Sequence, residues 1–125
     1  MCLETITQRK DIRDGYGYKI FKLHKRKLYS ECRKKDIIRR CGVWLEAEES
    51  PKYISSMLEG RYKSGFHILT SRAAARIWRT GADWNENNKY VIRKVKYRKA
   101  TVIGMQEHHQ CIVAKEIKIE GKDII

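Results

Sequence analysis

The chain has 125 residues, 42% of them hydrophobic, with 28 Lys and Arg against 15 Asp and Glu for a net charge of +13. That length and composition suit one domain (1–125) with a single modest core, and they exclude wholesale disorder and any apolar run near the about 20 residues of a membrane span. So positive a charge attracts polyanions: nucleic acid, a nucleotide, or the acidic face of a protein.

Residues 1–14 are mixed and aperiodic, and read as a loose arm or a short helical turn. They lack the basic, apolar and small-residue regions of a signal peptide, so a cytoplasmic chain is expected. Gly15-Tyr-Gly-Tyr18 leads into Lys19-Ile-Phe-Lys-Leu-His24, a first strand, and a polar turn at Lys25-Arg-Lys27 returns the chain through Leu28-Tyr-Ser-Glu-Cys32 as a hairpin. A phosphate loop would need a strand before the glycines and a helix after them, and here a strand follows. Arg33–Arg40 is a basic loop or short turn of helix, and residues 19–40 together carry ten basic and two acidic side chains.

Gly42–Glu48 reads as a third strand. Ser50-Pro51 is an N-cap followed by proline at the first helical position, and Ile54, Met57 and Leu58 follow at i, i+3 and i+4 before Gly60, which predicts a first helix. Gly65–Leu69 is a short buried strand. Thr70-Ser71 then cap a second helix, Arg72–Thr80, closed by Gly81. Its expected apolar face is Ala73, Ala74, Ile77 and Trp78, with Arg72, Arg76 and Arg79 crowded opposite.

After a polar loop at Asp83–Asn88, Lys89–Lys99 alternates β-branched or aromatic residues with Lys and Arg, as a half-buried strand does. Cys111–Ile119 repeats the pattern, so the two form a long terminal hairpin. A turn near Gln106–Glu107 pairs Val95 with Ile119, Tyr97 with Ile117 and Val102 with Ile112. It also sets Arg98 against Glu116, Lys94 against Glu120, and Lys96 against Lys118. The fold class is α+β: a mainly antiparallel sheet, two short helices and a long C-terminal β-hairpin.

Lys94, Lys96 and Arg98 form a candidate anion-binding rail, but that register neutralises most of it and makes the hairpin a scaffold. The arginines of the second helix have no acidic residue at helical spacing, and arginine suits phosphate and carboxylate. With Arg39, Arg40, Arg61 and Lys63 they form the expected contact surface for nucleic acid, a nucleotide or a host nucleic-acid-handling complex. Tyr62 and Trp84 are candidates for stacking on bases.

His108-His-Gln-Cys111, with Cys32, Cys41 or His24, lacks the close ligand pairs of a zinc site, so no metal and no cofactor are expected. Those cysteines and Cys2 have no close pairs and are expected as thiols. For catalysis the candidates are His67, Glu46, Glu48, Ser64 and Tyr62, acting on a nucleotide or phosphate ester. No local motif marks any of them, and a non-catalytic binder is the preferred expectation, with a protein-interaction module as a further alternative.

Gly15-Tyr-Gly-Tyr-Lys19, Tyr62-x-x-Gly-Phe-His67, Val91-x-Arg-Lys-Val-x-Tyr97 and Val113-Ala-Lys-Glu-Ile117 together resemble small accessory proteins encoded by bacteriophages and prophages. The resemblance implies a role during infection, such as disarming a host defence nuclease of the CRISPR type or occupying its nucleic-acid channel. It carries over no catalytic residue.

Overall fold

The computed structural model describes residues 3–24, 27–30, 37–38, 41–47, 53–82 and 89–121. Residues 3–8 of the N-terminal stretch are neither a loose arm nor a helical turn. Leu3 is fully buried and Thr5–Gln8 forms strand β1, hydrogen-bonded along residues 103–105. Nothing in its sequence alternates. Burial of Leu3, worth about 1.5–3 kcal/mol, and a strand edge to pair with hold it down.

The predicted first hairpin is present as β2 (Gly15–His24) and β3 (Lys27–Ser30), with β4 (Ile37–Ile38) added to the outside of β3. The expected third strand is β5 (Trp44–Glu46).

The Ser50-Pro51 signal lies outside the described residues, and no helix forms over residues 53–60 that follow it. Tyr53–Ser55 is strand β6, and it pairs with β7 (Arg61–Lys63). Tyr, Ile and Ser are weak helix formers. Ser56 also diverts its hydroxyl to the turn, donating to the Gly60 carbonyl at 2.6 Å and accepting from the Glu59 N–H at 2.9 Å. Of the helically spaced triplet only Ile54 packs inward, while Met57 and Leu58 are exposed.

β8 (Phe66–Leu69) is buried throughout. Helix α1 (Arg72–Ala82) follows, and the Ser71 hydroxyl caps it by accepting the Ala74 N–H at 3.0 Å. It is the one α-helix among the described residues, and it is neither long nor apolar enough to cross a membrane. Its buried face is Ala74, Ala75 and half-buried Trp78. Ala73 and Ile77 are exposed, so the apolar stripe is rotated from the expected one.

β9 (Lys89–Gln106) and β10 (His109–Ile119) form the long hairpin. The expected pairs Val95–Ile119, Tyr97–Ile117, Arg98–Glu116 and Lys96–Lys118 are present. A register shift between Val113 and Ala114 then moves the pairing by one, so Val102 faces Val113 and Ile112 faces Ile103. The two-residue turn is Glu107-His108, both at positive φ (47° and 69°).

β9 is shared among three partners. Its first half pairs with β2, its far end with β1, and its other edge with β10. β10 pairs onward with β8 and β5, and β8 touches β2 through Leu69 and Tyr18. The pairings β2–β9–β10–β8–β2 therefore close a ring. Gly17 makes the closure possible: a Cβ there would strike Ile68 Cγ2 and lie 2.9 Å from the Leu69 carbonyl oxygen.

Both faces of the sheet are buried over part of their extent. Inside, Phe21, Phe66, Ile68, Val95, Tyr97, Ile117 and Ile119 pack together under Cys41, Leu45 and Ala47. On the other face, Ile20, Leu69, Val102, Cys111 and Val113 pack with Leu3, Tyr62 and the alanines of α1. Lys19 is buried among the inner residues, its ammonium between the Phe21 and Phe66 rings and donating to the His67 carbonyl at 3.2 Å.

Candidate nucleic-acid interface

The alternation of β9 sends Val95 and Tyr97 inward, and therefore sends Lys94, Lys96 and Arg98 to the opposite face. α1 packs with the cluster that holds Ile20, Ile92 and Tyr18 on that face, and leaves Lys94 and Tyr16 exposed. There four strands align a single row. Tyr16 of β2 stands opposite Lys96 of β9, Lys96 opposite Lys118 of β10, and Lys118 opposite Trp44 of β5. Tyr16 is 52% exposed, and Trp44, Lys96 and Lys118 are half-buried.

Each end of the row is a ring with cations about it. Lys94 and Lys96 place their ammonium groups 4.9 and 5.8 Å from the Tyr16 ring centroid. Arg98 stacks its guanidinium 3.9 Å from the Trp44 ring centroid, and the Lys118 ammonium lies 5.6 Å from it. Contacts of this kind contribute about 0.5–1 kcal/mol each when exposed.

The expected neutralisation is present at one pair only. Arg98 donates through Nε and Nη2 to Glu116 Oε1 at 3.1 and 2.7 Å, and Lys99 Nζ lies 2.5 Å from Oε2. These hydrogen bonds, from Arg98 first and Lys99 second, hold the Glu116 carboxyl below its ordinary range. The expected Lys94–Glu120 pair meets only through the backbone, where the Glu120 N–H donates to the Lys94 carbonyl at 3.0 Å. Lys94, Lys96 and Lys118 have no carboxylate within ion-pair distance among the described residues. The sequence showed these lysines but not Tyr16 and Trp44 beside them, because the pairings to β2 and β5 are set by tertiary structure alone.

The residues expected from sequence to bind are dispersed. Arg72 and Arg76 are exposed on α1, which sits on the same face of the sheet as the lysine row. Arg79 lies on α1 with its side chain outside the described part, and Arg39, Arg40 and Trp84 are outside the described residues. Arg61 and Lys63 are exposed on β7, where with Arg9 and Lys10 they line a separate cleft of about 590 Å³. Arg9 is committed there, donating to the carbonyls of Arg61 at 2.9 Å and Glu59 at 3.3 Å. Tyr62 is not a stacking platform. It is 2% exposed, accepts the Leu3 N–H at 3.0 Å, and sets its hydroxyl 2.9 Å from Nε2 of His67.

Of the groups weighed for catalysis, Tyr62 and His67 meet in that buried hydrogen bond; Ser64 is also buried, Glu46 is exposed on β5, and Glu48 is outside the described residues. Cys111 sits in the core while His108 is exposed, and no three His, Cys, Asp or Glu side chains among the described residues are grouped to hold a metal. Comparison of the chain with protein-family models, with curated proteins and with solved structures gives no match.

Proposed function

We propose that this chain is a stoichiometric, non-catalytic binder of nucleic acid, and that its contact surface is the open sheet face carrying Lys94, Lys96 and Lys118. The observation that supports this reading is the direct opposition of Lys96 and Lys118, neither with a carboxylate within ion-pair distance among the described residues. Like charges directly opposite on neighbouring strands destabilise a sheet. A bound phosphate backbone relieves that repulsion and turns it into affinity. Arg72 and Arg76 on α1 extend the positive field along the same face. The likeness to phage-type accessory proteins extends the proposal to the setting: the nucleic acid is free, or held by a host complex such as a CRISPR-type nuclease.

The test is a pull-down from host lysate with and without nuclease treatment, followed by titration of the recovered nucleic acid over a range of salt. Recovery that disappears on nuclease treatment, with affinity falling steeply as salt rises, is the expected result. Replacing Lys94, Lys96 and Lys118 together by Gln should flatten the salt dependence, each neutralised contact removing about one unit of slope. Binding that is unchanged in this triple variant, or insensitive to salt, would overturn the assignment of the surface.

A further inference from the structure

We infer that the row Tyr16–Lys96–Lys118–Trp44 takes single-stranded rather than duplex nucleic acid, with one base stacked on each terminal ring and the intervening phosphates over the two lysines. The inference rests on the proposed nucleic-acid reading and narrows it to a substrate class.

Phosphate recognition alone needs only the lysines. Two partly open aromatic rings at the two ends of a lysine pair add something that a duplex cannot use, since its base faces are already stacked on one another. A single strand offers free faces, and any base has one, so recognition of this kind is indifferent to sequence. Tyr16 is more than half exposed. Trp44 has Arg98 stacked 3.9 Å from its ring centroid, which fixes the indole.

Spacing sets the footprint. Tyr16 and Trp44 are separated by three strand intervals, about 14 Å at about 4.8 Å each. A strand that stays stacked at about 3.4 Å per nucleotide covers that span in about four steps. The strand then runs across the sheet, perpendicular to β9 and β10, and a dinucleotide reaches only one of the two rings.

The test uses the full chain and four labelled probes matched in number of phosphates: a single-stranded oligonucleotide of mixed sequence in DNA and in RNA form, a DNA duplex of half that length, and inorganic polyphosphate. The expected result is single-strand binding at least about ten-fold tighter than duplex binding, in the DNA arm, the RNA arm or both. Tyr16→Ser and Trp44→Leu should each weaken single-strand binding by about ten-fold and leave polyphosphate binding unchanged. Tyr16 is an exposed ring, so its variant keeps the test valid should Trp44→Leu lower the unfolding temperature. Equal affinity for duplex and single strand, or no loss in Tyr16→Ser, overturns the single-strand inference and leaves polyanion binding standing. No binding to any of the probes overturns both.

Discussion

The Tyr62 hydroxyl joins two segments that are distant in sequence: it accepts the Leu3 N–H at 3.0 Å and lies 2.9 Å from Nε2 of His67. Tyr62→Phe keeps the ring in the core but removes the acceptor of the Leu3 N–H and the hydroxyl beside His67 Nε2 in a buried site. Destabilisation of about 1–3 kcal/mol is expected, because a buried polar group left unpaired costs its desolvation. Chemical unfolding measures it, and hydrogen exchange should show the Leu3 amide losing protection first. An unchanged midpoint would mean that β1 is held by its pairing to β9 alone.

Lys96 tests function against stability. Lys96→Glu places a carboxylate directly opposite Lys118 and removes a like-charge pair, so the folded state should gain about 0.2–1 kcal/mol. The same change should abolish nucleic-acid binding. A variant that is more stable and inactive separates the two properties. Loss of stability would show that the lysine pair is not the source of repulsion.

Glu116 predicts a pH dependence. Its carboxyl is held below the ordinary value of 4.5 by hydrogen bonds from Arg98 and Lys99. A group whose folded pKa is depressed stabilises fully above its unfolded pKa, and that contribution is lost as pH falls through the folded value. The difference in unfolding midpoint between the native chain and Glu116→Gln should therefore be constant above about pH 4.5 and shrink below it. A difference that is flat throughout would rule out the carboxylate form as the stabilising one.

The hairpin turn offers a gain. Glu107 and His108 both hold positive φ, the geometry of a two-residue turn that favours Asn-Gly. Left-handed backbone costs an ordinary residue about 1–2 kcal/mol. Glu107→Asn with His108→Gly should raise stability by about 1 kcal/mol or more in thermal unfolding, with the β9–β10 register preserved.

How far the sequence revealed this fold follows from the range of the forces involved. The hairpin register from Val95 to Arg98 was legible because alternation fixes faces and charge fixes partners over a few residues. Ser71 and the helix it caps were legible for the same reason. The shift between Val113 and Ala114 was not, since one extra residue in a strand leaves no mark on composition. Residues 53–63 misled because the Ser50-Pro51 signal is local, whereas burial of Ile54 and Tyr62 against Leu3 is a tertiary reward. The lysines of the candidate site could be read directly. Their aromatic neighbours could not, because Tyr16 and Trp44 reach the row from 80 and 74 residues away in the chain, through pairings that no spacing announces.

The sharing of β9 among β1, β2 and β10 has a consequence for biosynthesis. Strands β1, β2 and β8 leave the ribosome well before the residues that complete their sheet. At about 5–20 residues per second, the β2–β3 hairpin waits several seconds for β9. Through that interval its apolar side chains and strand edges are exposed to other nascent chains. Folding is then dominated by distant contacts and should be slow, in the millisecond-to-second range of sheet proteins. Expression at low temperature or with chaperones should raise the soluble yield more than any single stabilising substitution, because the vulnerable species precedes the native state.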